Sequence, residues 1–308
     1  MMQPFSPADL APASPEIAVA LTGLLVLVLD FLLPGKRRQW LGALSIGGLL
    51  IALGLVLCQL QDPGQLAIFG GLHLVDRLAG FFKLVFLLSA ALVVLLAAGF
   101  LQDEGVPAGE FHAILLFATL GTMLMASAAD LLSLFVGLET MSICTYVLCG
   151  LLKRDQRCVE GALKYLLMGV FATGIILYGM VLLYGFAGAT SFEAIARAVD
   201  MGDLRNPALV MGMILLAAGF GFKIAAVPFH LYLPDLYEGA PTPVVAFLAG
   251  AAELAGVAVL VRVFLAALPS QHVEWGVLFW VLAVLTMTVG NLVAIAQTNL
   301  KRMLAYST

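Results

Sequence analysis

Of the 308 residues, 62% are hydrophobic and only 11% are charged, with a net charge of −4. An ordinary soluble domain is ~25% charged, and a water-soluble core has no room for this much apolar surface. The few basic residues fall in short clusters without a basic stripe, which argues against a nucleic-acid surface.

The apolar runs approach the ~20 residues that a helix needs to cross a hydrocarbon layer about 30 Å thick. Barrel strands would instead alternate apolar and polar residues over ~10 positions, whereas residues 78–100 are apolar on nearly every face. The composition therefore predicts an all-α integral membrane protein.

Residues 1–16 carry Asp9 and Glu16 but no Lys or Arg, so they lack the basic region of a secretory signal, and the first apolar run is expected to remain in the mature protein. Apolar runs and their polar breaks predict about nine spans, at 17–34, 40–60, 78–100, 112–129, 131–150, 160–186, 208–230, 244–267 and 275–297. The loop 187–207 places Phe192, Ile195, Ala196 and Val199 on one helical face, as an amphipathic helix lying at the membrane interface would.

Lys36/Arg37/Arg38, Lys153/Arg154/Arg157 and Lys301/Arg302 all follow odd-numbered spans, while the opposite loops hold only Arg77, Arg197 and Arg205. The positive-inside rule then puts the clusters in the cytoplasm and the N-terminus outside. Cys58, Cys144, Cys149 and Cys158 form no CxxC pair and no iron–sulfur spacing, and read as small packing residues. No glycine-rich phosphate loop follows a strand signal, so this chain is expected to hold no redox or nucleotide cofactor.

Seven charged residues lie inside the apolar runs: Asp30, Lys83, Glu139, Lys164, Lys223, Glu253 and Arg262. Each costs ~2.5–3.5 kcal/mol at a helix centre, so each needs a partner, water or a function. Asp30, Lys83 and Arg262 lie near span ends, where snorkelling or a structural ion pair suffices. Glu139 sits among Thr140, Ser142 and Thr145, a polar patch that points to function. Lys164 follows Glu160 at i+4, which alone would be an ordinary helix-surface pair.

Lys223 is the most informative residue. It lies deep in span 7, and five residues later Pro228 removes an N–H and clashes with the carbonyl of Ile224, so the helix should break between about Lys223 and Pro234. Broken helices at membrane depth line hydrated cavities. His230 joins this group, whereas His73, His112 and His272 lie near span ends and read as interfacial. Desolvation lowers the proton affinity of lysines and raises that of carboxylates, which suits such groups to proton relay.

Residues 221–244 run through this break and end in Tyr237-Glu238-Gly239-Ala240-Pro241-Thr242-Pro243-Val244. They closely resemble the signature of the antiporter-like membrane subunits of respiratory complex I, the proton-translocating NADH:quinone oxidoreductase, in the form its N-type subunits carry. The stretch 130–139, Ala162-Leu163-Lys164-Tyr165, Gly290-Asn291-Leu292 and residues 297–307 match as well, so the resemblance covers essentially the whole chain.

The resemblance implies an antiporter-like fold of two inverted five-helix repeats. A three-helix segment would occupy 1–110, the first repeat 111–268, and the truncated start of the second 269–308. It also implies a charged axis through Glu139, Lys164, Lys223 and Lys301 with His230 beside it. Flavin, iron–sulfur clusters and quinone would belong to other subunits of an inner-membrane complex, which are the implied partners.

Two departures stand out. Glu253 occupies a position where the family usually has lysine, and it reads either as a relay site carrying its proton as a neutral acid or as a fixed ion pair with Lys223. The chain also ends before the family's second broken helix, which reads as a fragment or a shortened variant. The competing functional reading is a subunit of a multi-subunit cation/proton antiporter.

Overall fold

The computed structural model describes residues 7–33, 40–61, 64–203 and 205–308. The cluster Lys36/Arg37/Arg38 lies outside them. The helices are α1 (Ser14–Leu32), α2 (Trp40–Gln61), α3 (Arg77–Asp103), α4 (Ala108–Ser127), α5 (Leu131–Cys149) and α6 (Gln156–Ala187). They continue with α7 (Phe192–Met201), α8 (Pro207–Lys223), α9 (Leu233–Gly239), α10 (Thr242–Ala267), α11 (His272–Ile295) and α12 (Leu300–Ser307). Among the described residues eight helices are long and apolar enough to span a membrane, and α8 is a shorter apolar helix cut off at the expected break. The protein is a helical, multi-pass membrane protein.

Two strands, β1 (Leu66–Ile68) and β2 (His73–Val75), pair antiparallel between α2 and α3, an element too short for the sequence pattern to announce. A bridge from His73 to Ala128 ties this hairpin to the α4–α5 junction, and one from Asp130 to Ser191 ties that junction to the start of α7. Asp76, Asp130, Asp155 and Ser191 cap the helices that follow them, accepting otherwise unpaired N–H groups of the first turn. The expectation for α7 changes. Its apolar face, Phe192, Ile195 and Val199, is buried against α6 and the end of α10, so it packs on protein and not on lipid headgroups.

The core forms where α4 packs between α1 and α5, and α8 against α6. Close approach needs small residues at the crossings. Gly121 of α4 faces Gly137 and Met141 of α5, and Gly179 of α6 faces Gly212 of α8, so a side chain at any of these glycines would meet backbone.

The end of α8 determines where the site forms. The N–H of Ala225 donates to Phe222 O at 3.1 Å and that of Ala226 to Gly221 O at 2.8 Å, which closes the helix in a Schellman turn. The left-handed position of that turn, ordinarily glycine, is Ala225 at φ +52°. Beyond it the exposed backbone finds side chains instead of helical partners. Val227 N–H donates to Thr286 Oγ1 at 3.0 Å, and the Tyr232 hydroxyl donates to Phe222 O at 3.1 Å. Pro234 then opens α9 within its first turn, where its missing N–H costs nothing.

Candidate proton-transfer site

α8 delivers Lys223 to the bundle centre at its last residue, with the side chain only 6% exposed. Its ammonium donates to Ser142 Oγ of α5 at 2.7 Å and lies 5.8 Å from the Tyr146 ring and 5.9 Å from the Phe222 ring. One hydroxyl and two aromatic faces are a modest set of partners for a buried cation. Gly256 of α10 lets the end of α8 pack close, because a Cβ there would meet Ile224 Cγ2 at 2.7 Å.

Glu139 lies one turn before Ser142 on α5 and accepts a hydrogen bond from Thr173 Oγ1 of α6 at 2.9 Å. Glu253 lies on α10 directly after a π-helical turn, Leu248–Ala252, and accepts from the Tyr237 hydroxyl of α9 at 2.8 Å. Such turns widen a helix and re-aim the side chains beside them. Tyr237 also lies 3.3 Å from Thr308 Oγ1. Among the described residues Lys223 and Glu253 make no ion pair. They line instead one cavity of about 10 Å3 with Met141, Tyr165 and Tyr232, which is about the space that the centre of one water needs. Ser142, Lys223, this cavity, Glu253 and Tyr237 form a polar row from α5 to α9 with one water-sized gap.

Lys164 and Lys301 stand apart from that row. Lys164 pairs with Glu160 at 2.7 Å and with Asp235 of α9 at 2.6 Å, and is half-exposed. Arg302, one residue beyond the candidate Lys301, takes the other Asp235 oxygen at 2.7 Å and Glu238 at 3.1 Å. Lys301 itself donates to the Ala240 carbonyl at 3.3 Å. His230 faces a second small cavity, where its ring lies 5.9 Å from Tyr306. Leu233 borders both cavities and stands between them.

The sequence gives Asp235, Tyr237 and Arg302 no role in the site, although Tyr237 belongs to the signature stretch and Arg302 to a basic cluster. Nor does it single out the ionic cluster that joins α1, α3 and α10. Lys83, 1% exposed, meets Glu16 at 2.6 Å, and Arg262 grips Asp76 through both terminal nitrogens, at 2.7 and 2.5 Å. Of the two readings open for Lys83 and Arg262, the ion pair holds and snorkelling does not. His73 and His112, expected at the interface, are buried.

A family model described as "NADH:quinone oxidoreductase/Mrp antiporter, TM" matches residues 128–308, a stretch that contains the broken helix and the whole polar row. The chain belongs to this family. Among relatives of this antiporter-like membrane family, the NADH-quinone oxidoreductase subunit N of Trichlorobacter lovleyi is 43% identical over 99% of this chain and 62% of its own length. In the solved respiratory complex I from Thermus thermophilus, one chain superposes with a TM-score of 0.78 at 34% identity, over 95% of this chain and 61% of that one. A chain of the Mrp complex from Dietzia shares the fold, with a TM-score of 0.77 at 20% identity over 96% of this chain and 56% of that one. This chain thus spans about three fifths of the length of the relatives it matches.

Proposed function

We propose that this chain is a proton-translocating membrane subunit, of the N type, of an NADH:quinone oxidoreductase. In this reading flavin, iron–sulfur and quinone chemistry take place in partner subunits, and this chain moves protons in response. It would sit in the cytoplasmic (inner) membrane with its N-terminus outside, and its helices would divide into a three-helix segment, a first repeat at 111–268 and the start of an inverted second repeat at 269.

The observation that carries the proposal is Lys223. It is a buried ammonium at the end of a broken helix, with one hydroxyl partner and one water-sized cavity between it and the Glu253 carboxyl. Nothing about holding the fold together requires a lysine there, because an apolar residue would fill the same space without the cost of desolvation. A proton carrier needs this arrangement. It has few fixed partners, so its charge can change, and a water-sized gap that can be bridged to pass the proton on. Glu139 and Lys164, held by Thr173 and by Asp235, would bias that charge from either side.

Lys223→Met in the assembled complex, reconstituted in liposomes, tests the reading. The number of protons moved per electron should fall while quinone reduction continues. A ratio equal to that of the parent enzyme would overturn it. Sodium-driven proton exchange without NADH would favour the cation/proton antiporter instead.

A further inference from the structure

The ionic cluster near the start of α1 contains more than a clamp needs. Glu16 is only 5% exposed, and its Oε2 accepts no hydrogen bond among the described residues. Its Oε1 contacts two groups, Lys83 Nζ at 2.6 Å and His73 Nε2 at 3.4 Å. Neither contact has hydrogen-bond alignment, so the buried carboxylate is held by charge while half of its accepting capacity is unused. A buried acceptor without a donor is costly and marks a place where a water or a proton belongs.

Lys83 also borders a cavity of about 10 Å3 with Gln59, Gly64, Val75, Asp76 and Arg77. These residues lie at the end of α2, around the hairpin and at the start of α3, the same end of the bundle as His73. Arg262 of α10, paired with Asp76 at the start of α3 and donating through Nε to the Ala126 carbonyl of α4 at 2.9 Å, is a further cation acting on His73.

The geometry points to Lys83, Glu16 and His73 as a second proton-carrying site, through which protons exchange between the bundle and the water beyond its N-terminal end. This inference rests on the reading of the chain as a proton translocator. Lys83 gives a proton to the Glu16 carboxylate, leaving a neutral amine and a neutral acid. Glu16 then passes that proton to His73 Nε2, in the tautomer with the ring proton on Nδ1, and the imidazolium releases it to water. A proton arriving from the interior restores the Lys83 ammonium, so protons balance over the cycle. His73 lies in the hairpin, where burial, opposed by the Glu16 carboxylate, holds it down at about 4. An imidazole with so low an affinity rests neutral and gives up its proton readily.

α10 links the two sites. Glu253 and Arg262 are nine positions apart on it, about 13 Å at 1.5 Å per residue.

The test uses the assembled complex in liposomes, reading protons moved per electron at matched electron flux. The double variant Glu16→Gln/Lys83→Met removes both charges together, so no unpaired charge is buried and a clamp survives it. Lys83→Arg keeps the ion pair with a group that cannot release its proton. His73→Gln leaves the ion pair intact, and it decides the question if the other variants fail to assemble. The expected result for each is a loss of stoichiometry as large as that of Lys223→Met. Parental stoichiometry in these variants beside a loss in Lys223→Met overturns this inference alone, and parental stoichiometry in Lys223→Met as well overturns the translocator reading.

Discussion

Ala225 holds φ +52° at the point where α8 must stop. An L-residue there costs roughly 1–2 kcal/mol against Cβ crowding, and glycine would avoid it at some cost in unfolded-chain entropy. Ala225→Gly should therefore stabilise the protein by up to about 1 kcal/mol, read as a rise in thermal midpoint in detergent. Glu253 allows a sharper test, because its partner is the Tyr237 hydroxyl and not Lys223. Glu253→Gln keeps the size and the hydrogen-bonding capacity but cannot titrate. If Glu253 carries protons, this change should lower protons moved per electron by as much as Lys223→Met while assembly persists, and Glu253→Lys should restore much of the loss. If instead it supports structure alone, Glu253→Gln pumps normally and Glu253→Lys, which sets a second cation across the cavity from Lys223, is the damaging change.

At the scale of elements, ion pairs hold what the break leaves loose. α9 is seven residues long and α12 eight, too short to be stable alone. Both are pinned through Asp235, whose two oxygens take Lys164 of α6 and Arg302 of α12. Asp235→Asn removes the shared anion, so that Lys164 keeps only Glu160 and Arg302 keeps only Glu238, and the link between α6, α9 and α12 is lost. Amide hydrogen exchange across Leu300–Ser307 should then accelerate about tenfold or more, while exchange in α4 stays as it was. The Asp76–Arg262 pair plays the same part between the hairpin end of α3 and α10. Asp76 also caps α3 through the Ala79 N–H, so Asp76→Ala loses a cap and strands a buried guanidinium. Such losses typically cost ~3–5 kcal/mol, and a fall in thermal midpoint and in the yield of assembled complex would show it.

For the whole molecule, acid should be a weak point through His73. Its folded affinity is depressed to about 4 from an ordinary 6.5, so between those values the unfolded chain binds a proton that the folded one refuses. Stability contributed by the neutral ring is complete above pH 6.5 and declines as pH falls towards 4, by ~3 kcal/mol at most. His73→Gln should flatten that part of the pH–stability curve, and an unchanged slope would assign the acid sensitivity elsewhere. Much of this architecture was legible from residue order alone. Spans of apolar residues, the stop after Lys223 imposed near Pro228, and the charges stranded inside the membrane are local facts of hydropathy and backbone geometry, and they suffice for the membrane class, the broken helix and the short list of suspect ionisable groups. Pairing was not local. Lys223 meets Ser142 across 81 positions, Lys164 meets Asp235 across 71, and Arg262 meets Asp76 across 186. Which charge is neutralised, and which is left with a cavity beside it, depends on which faces of distant helices come together. Packing between distant helices is the reason that Glu253 bonds a tyrosine, that Arg302 and not Lys301 takes Asp235, and that Glu16 and Lys83 share a buried site with an unused acceptor.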